Sequence, residues 1–204
     1  MSLGIESIMT DLHVAYQITP HLSELLKRWD AQVAAEGPIV RHRWTDIALW
    51  HAARSATVAG STGIEGNLLT SVQVDEVLAG GHVDATPTDI REVLNYNAAL
   101  DLANRAALSP GFEWSQELLR RLNAAVMDGL DDDERGEYRQ QPVTVGVMYW
   151  PPDHPRLPAL MSGLVEWLRD SGDNPLIRAG LTHLNVVSIH PWLNGNGRTA
   201  SVAG

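Results

Sequence analysis

One short segment, residues 190–198, combines the residue types that phosphate chemistry requires. His190 is followed by Pro-Trp-Leu-Asn-Gly-Asn-Gly and then by Arg198. Glycines let a backbone approach a ligand closely, and the amides at a helix N-terminus bind anions. An arginine adds a forked donor for phosphate oxygens. A histidine can accept a proton near pH 7. The segment therefore predicts an anion site at 195–198 with His190 as a general base, an arrangement that suits phosphoryl or nucleotidyl transfer.

The same residues also fit a plain connection between two helices. Asn-Gly pairs are ordinary turn formers, and a histidine beside a proline is often structural. The segment is not a P-loop, because the Gly-Lys-Ser/Thr sequence is missing. Residue types and spacing alone leave both interpretations open.

Most of the chain has the apolar spacing of helices, so the predicted class is all-α. Two helices should begin at the pairs Thr86-Pro87 and Asn174-Pro175, because each pair is a cap followed by a first-turn proline. The predicted helices cover residues 11–34 with a break at Pro20, 45–59, 71–79, 87–108, 115–130, 156–170 and 176–189. A short helix or turn is expected at 62–65, and a further helix should open at Arg198.

Residues 142–150 change to the two-residue period of a strand. Val143, Val145, Val147 and Tyr149 alternate with other residues, and Gly146 is a natural turn position. The pattern predicts a small β-hairpin beside the helices.

Composition excludes several classes of protein. The 204 residues carry a net charge of −10 and no cysteine. Thiolate metal sites and cysteine nucleophiles are therefore excluded, and direct nucleic-acid binding by this segment is not expected. We find neither a signal peptide nor an apolar stretch of the roughly 18 residues that a membrane span needs. A soluble, cytoplasmic protein without a membrane partner is expected.

Several segments, in order along the chain, resemble the Fic family. The family pattern His-Pro-Phe-x-Asp/Glu-Gly-Asn-Gly-Arg-x-x-Arg is similar to HPWLNGNGRTAS at 190–201. The string STGIEGN at 61–67 resembles the inhibitory motif of Fic proteins that restrain themselves from an N-terminal helix. Further similar segments are REVLNY at 91–96, GEYR at 136–139, PVTV at 142–145 and YWPP at 149–152. The resemblance covers about 44–201.

The resemblance implies a Fic-type helical domain that moves AMP from ATP to a Ser, Thr or Tyr hydroxyl of a target protein. It makes His190 the general base, and it makes Glu65 and Ser61 regulatory residues. Trp192 stands for the family's phenylalanine and is expected to anchor the loop in the core. The resemblance assigns the phosphates to Gly195, Asn196, Gly197 and Arg198, and the target-docking flap to Val143, Thr144 and Val145.

Two positions depart from the family pattern. Asn194 stands where the family has the Asp or Glu that binds Mg²⁺, and its amide oxygen brings no charge to a metal site. Ser201 stands where the family has its second arginine, the partner of the γ-phosphate and of the inhibitory glutamate. A weakened Mg²⁺ site is therefore expected, together with a Glu65 that lacks its usual salt bridge. The alternative function is a degenerate Fic protein that binds nucleotide or a partner protein without turnover and acts as a regulator.

The predicted organisation is an N-terminal helical extension at 1–43 and a Fic domain at 44–204. The family continues into at least one more core helix after the motif, so we expect the chain to be cut short after 204. A second subunit could supply the missing cover, which makes a homodimer an alternative. The sequence names neither the target protein nor the modified hydroxyl, and it does not decide between AMP and another transferred group.

Overall fold

A computed structural model of the chain describes residues 12–36, 43–130 and 134–204. These ranges contain eight α-helices and no β-strand. A 3₁₀ turn at His154–Arg156 precedes α6. The helices are α1 (Pro20–Glu36), α2 (Arg43–Ile64), α3 (Ser71–Leu78), α4 (Pro87–Ala107), α5 (Gln116–Val126), α6 (Leu157–Asp170), α7 (Pro175–Ile189) and α8 (Asn196–Ala203). The prediction of an all-helical fold is confirmed.

The helix starts follow the capping residues in the sequence. Thr86 accepts from the amide of Asp89, Ser115 from that of Leu118, and Asn174 from that of Leu176. Each cap satisfies one of the amides that a helix N-terminus leaves without an intrahelical acceptor. The predicted N-termini of α4, α5 and α7 are therefore confirmed.

Two predicted helix ends are wrong. Helix α2 passes Gly60 and continues to Ile64, with Val58 and Thr62 fully buried on either side of the glycine. Packing of that face outweighs the small cost of a glycine inside a helix. Helix α5 ends at Val126 rather than at residue 130. There the Asn95 side chain donates to the carbonyls of Val126 and Asp128 and thereby replaces the next helical turn.

The predicted hairpin at 142–150 does not form paired strands in the described part of the chain. A single antiparallel bridge joins Val145 and Tyr149, with N···O distances of 2.9 and 3.3 Å, around a turn at Gly146. The carbonyls of Gln141 and Pro152, on either side of this loop, accept from the guanidinium of Arg139 instead of from amides of an opposing strand. The strand prediction is thus unconfirmed, and a turn closed by one bridge stands in its place.

The segment that follows α7 lies at the centre of the helical assembly. Helix α8 contacts α2, α4, α5 and α7, and Ala200 and Thr199 on it are fully buried. Apolar side chains from α4 to α7 complete the core, among them Tyr96, Leu119, Leu122, Leu160, Leu164 and Val186. The loop 190–195 is therefore held between packed helices. None of the described helices combines the length and the apolar character that crossing a bilayer would require.

Trp192 is the largest fully buried side chain, with 1% of its surface exposed, which agrees with its predicted role as a loop anchor. Its indole Nε1 has no hydrogen-bond partner among the described residues. Trp192→Ala should lower the free energy of unfolding by about 4 kcal/mol because it leaves a large cavity. Trp192→Phe should cost only about 1 kcal/mol, because it keeps the aromatic packing and removes an unsatisfied donor. Urea denaturation distinguishes the two variants, and equal losses would contradict this account.

Candidate functional site

A cavity of about 740 Å³ lies between the loop 190–195 and the facing ends of α2, α4 and α8. The structure brings His190 and all of 195–198 to its wall, together with Glu65 from the turn after α2. Helix α4 contributes Arg91 and Glu92. Glu65 and Arg198, 133 positions apart in the chain, therefore meet at one site with His190.

His190 ends helix α7 in the left-handed conformation, with φ 50° and ψ 59°. It is the one non-glycine residue with a positive φ in the described ranges. Such a conformation costs on the order of 1 kcal/mol and persists only where the surroundings impose it. The Nδ1 atom lies 3.3 Å from the carbonyl of Val187. Because a carbonyl only accepts, Nδ1 carries the hydrogen in this contact, and the neutral ring keeps its lone pair on Nε2.

The surroundings of His190 favour its neutral form. Burial is the largest effect and lowers its pKa below 6.5, and the positive charge of Arg139 acts in the same direction. The hydrogen bond to Val187 and the carboxylate of Glu65 oppose the shift. A neutral imidazole near pH 7 is the form that a general base requires.

Arg139 holds the His190 backbone in place. Its side chain is buried, with the residue 1% exposed, and burial lowers its pKa. Nε donates to the carbonyl of His190 at 2.8 Å, Nη1 to that of Gln141 at 2.9 Å, and Nη2 to that of Pro152 at 2.5 Å. Its own amide donates to the carbonyl of Pro191. One guanidinium thus joins the left-handed turn to both ends of the 141–152 loop.

Two buried asparagines shape the loop itself. The Asn196 amide group bonds both the amide and the carbonyl of Trp192, at 3.1 and 2.9 Å. Asn123 donates to the carbonyl of Asn194 at 3.0 Å and to Thr199 Oγ1 at 3.2 Å. The Asn123 oxygen accepts from the amide of Gly136. Side chains of α5 and α8 therefore fix the path of the loop.

Two glycines of the loop make close approaches possible. Gly195 has φ 72°, and a Cβ there would lie 2.7 Å from Met127 Sδ. A Cβ on Gly197 would lie 2.6 Å from Glu65 Oε1. The bare Gly197 backbone thus lets a carboxylate reach the N-terminus of α8.

The N-terminus of α8 already binds a negatively charged group of this chain. Glu65 Oε1 accepts from the amide of Arg198 at 3.0 Å, and Glu65 Oε2 lies 2.5 Å from Arg198 Nε. The Nε contact is a close ion pair rather than a well-directed hydrogen bond. Glu92 Oε1 accepts from Arg198 Nη1 at 2.9 Å, and Asn67 donates to the other Glu92 oxygen. Two carboxylates therefore neutralise one buried arginine.

Glu65 has no cation to pair with at position 201, as expected, but it does form an ion pair, which the sequence analysis did not foresee. Glu65 pairs with Arg198, because the turn after α2 delivers its carboxylate to the helix end rather than to position 201. Ser201 is half-buried on α8 and does not belong to the cavity wall of the described structure. Ser61 lies beside the hydroxyl of Tyr96, whose pKa is raised mainly by burial. Val143 and Thr144 precede the bridge at Val145 and lie outside the cavity wall.

The cavity wall does not fit a resident Mg²⁺ ion. Its carboxylates are Glu65 and Glu92, and both are engaged by Arg198. Asn194 offers an amide oxygen without charge, whereas Mg²⁺ is usually bound through one or two carboxylates and substrate phosphates. Nowhere in the described ranges do three or more acidic, histidine or cysteine residues form a potential metal cluster. No step below is therefore assigned to a metal.

The sequence analysis did not identify four residues that determine the shape or the charge of this site. Glu92 and Arg91 lie in segment 91–96 and Arg139 in segment 136–139, and the resemblance assigned no site residue to either. Asn123 carried no signal, because a single polar residue on a helix face does not reveal its partners. Glu92 could have been found as a carboxylate within a segment that resembles the family.

Comparisons with known proteins show the family to which the chain belongs. Residues 113–204 match the model of the Fic/DOC family. The protein adenylyltransferases Fic of Drosophila grimshawi and Drosophila virilis are each 35% identical over 145 residues, 69% of this chain. The chain is therefore a Fic/DOC family protein, homologous to Fic adenylyltransferases at about 35% identity. It spans about 30% of the length of those two relatives.

Solved structures share the fold. A Fic family protein from Desulfovibrio desulfuricans superposes with a TM-score of 0.80 at 28% identity, over 92% of this chain and 57% of that one. A Fic-domain signalling protein from Bacteroides thetaiotaomicron has a TM-score of 0.75 at 25% identity, over 87% of this chain and 70% of that one. The helical assembly around α8 is thus a Fic-type domain.

Because the Arg139 guanidinium binds three backbone carbonyls, we expect its removal to lower the stability of the fold. Arg139→Met removes the donor of three carbonyls and the buried charge that holds them, so the free energy of unfolding should fall by about 3 kcal/mol. Arg121 is exposed, so Arg121→Met is a matched control and should change it by less than about 0.5 kcal/mol. Urea denaturation measures both variants. Equal effects would show that the guanidinium contacts contribute nothing.

The burial of His190 predicts its titration. NMR titration of the imidazole, assigned by its disappearance in His190→Gln, should give a pKa below 6.5. Glu65→Gln should lower the pKa further, because the Glu65 carboxylate raises it. The pKa of His190 is lower in the folded protein than in the unfolded one, so its neutral ring contributes fully to the free energy of unfolding above pH 6.5. That contribution is lost as the pH falls from 6.5 through the folded-state pKa. A pKa above 6.5 would contradict the proposed surroundings.

Proposed function

We propose that this site transfers AMP from ATP to a hydroxyl of a target protein. The observation that carries the proposal is the pairing of a neutral His190, with Nε2 free to accept, and an α8 N-terminus that already holds a carboxylate in the same cavity. A site that binds one anion through a helix amide and an arginine suits a phosphate. The relatives named protein adenylyltransferase support this reaction class.

In the proposed reaction, His190 Nε2 accepts the proton of the target hydroxyl. The hydroxyl oxygen attacks the α-phosphorus, a new P–O bond forms, and the bond to the bridging oxygen of the β-phosphate breaks. Pyrophosphate leaves, and the proton stays on the imidazole until it passes to solvent. The helix amides of 196–198 and Arg198 face the phosphates and stabilise their charge.

Glu65 acts as a regulator in this proposal. Its carboxylate takes the amide and the guanidinium that the phosphates would use, so ATP must displace it. Its side chain is 26% exposed, compared with 6% for that of Arg198, so Glu65 is the partner that can move. The target segment is proposed to dock along Val143, Thr144 and Val145, the residues that lead into and begin the bridge to Tyr149. The proposed location of the protein is the cytoplasm.

Incubation with labelled ATP, with and without a cell lysate, tests the activity. Glu65→Gln should raise transferred label by about tenfold or more, because it removes a charge-assisted competitor of the phosphates. Glu65→Gln combined with His190→Ala should abolish the label while ATP binding by calorimetry persists. Label that survives loss of the imidazole would remove His190 from the role of base.

A second candidate function is binding of nucleotide or a partner without turnover. Asn194 in the cavity wall and Ser201 outside it favour this candidate, since neither supplies charge to the phosphates. The variant Asn194→Asp with Ser201→Arg, in the Glu65→Gln background, separates the two. Label that appears only after both replacements favours the regulator, and label of equal strength without them favours the enzyme.

A further inference from the structure

Two carboxylates already engage Arg198 before any ligand enters the cavity. Its side chain is 6% exposed and is held between Glu65 and Glu92, at 2.5 and 2.9 Å. Its Nη2 atom lies 3.5 Å from Met127 Sδ. An anion that enters the cavity must displace Glu65 to reach Arg198, and Glu92 still occupies Nη1 of the guanidinium afterwards.

Arg91 is the other cation of the cavity wall. It precedes Glu92 on α4 and faces the same cavity as the glycine loop. Its guanidinium carbon and Nε lie 3.6 Å from the point where a Cβ would stand on Gly129. Gly129 has φ 65°, a conformation that favours glycine, and the missing side chain leaves the space beside the Arg91 guanidinium open.

Arg91 differs from Arg198 in its partners. Within the ranges that the structure describes, no hydrogen bond or ion pair holds the Arg91 side chain. The titratable side chains of the cavity wall are Glu65, Glu92, Arg91, Arg198 and His190, and both carboxylates are bound to Arg198. The field that an incoming anion meets on the α4 side is therefore that of Arg91.

We infer that Arg91 binds the terminal phosphates of a polyphosphate ligand in this cavity and sets the preference for triphosphates over monophosphates. The inference rests on the proposed function, which places the reacting phosphate at the loop beside His190. The terminal phosphates then extend toward another wall, where α4 presents an arginine with free donors. A guanidinium can bind two phosphate oxygens at once, which a lysine cannot do.

Calorimetry on the full chain tests this role with three probes: ATP, AMP and inorganic tripolyphosphate. Arg91→Gln should weaken the binding of ATP and tripolyphosphate by about tenfold and that of AMP by less than about twofold. Arg91→Lys should show an intermediate loss, because it keeps the charge without the fork. Arg105→Gln is the matched control, since Arg105 is exposed on the same helix and lines a different cavity.

The outcomes separate this inference from the proposed function. Equal ATP affinity in Arg91→Gln and the unmodified protein overturns the role of Arg91 and leaves AMP transfer standing. An equal loss for ATP and AMP also overturns it, because the effect would not depend on the terminal phosphates. Absence of binding for all three probes in both the unmodified protein and Glu65→Gln overturns the inference and the proposed function together.

Discussion

The carboxylate of Glu65 at the N-terminus of α8 is the contact on which the site depends. It satisfies the amide of Arg198 and pairs with the guanidinium of the same residue. Without Glu65, the Glu92 carboxylate alone would compensate the buried arginine, and the N-terminus of α8 would have no anion beside it. Leaving such groups uncompensated costs several kcal/mol. The Glu65 carboxylate therefore supplies the negative charge that this helix end and its arginine require.

A second constraint concerns the left-handed turn at His190. Its conformation is strained, and Arg139 holds the carbonyl of His190 while Asn196 holds both backbone groups of Trp192, two residues further along. Both side chains are buried and satisfy backbone groups that lack regular secondary structure. The imidazole can then end a helix with Nδ1 on a carbonyl and Nε2 unoccupied by that contact. The chemistry of one ring thus depends on the hydrogen bonds of residues up to 51 positions away.

Structural features that depend on residues close together in the chain could be predicted from the sequence. Helix N-termini at Thr86, Ser115 and Asn174 were predictable because a cap acts within three residues. The continuation of α2 past Gly60 was not, because the packing of Val58 and Thr62 decides it. The pair of Glu65 with Arg198 was missed for a related reason. The family pattern directed attention to position 201, whereas the path of the turn after α2 determines which cation the carboxylate meets.

The two departures from the family pattern fall on positions that do not shape the loop. Asn123 holds residue 194 through its backbone carbonyl, which any side chain at that position would leave available. The loop geometry rests instead on Asn196, Asn123 and the buried Trp192. The residue at position 194 can therefore lack a charge without any change in the residues that determine the loop geometry. The close superposition with another Fic protein therefore defines the fold of this chain. It does not define the activity, which depends on the charged residues in the cavity.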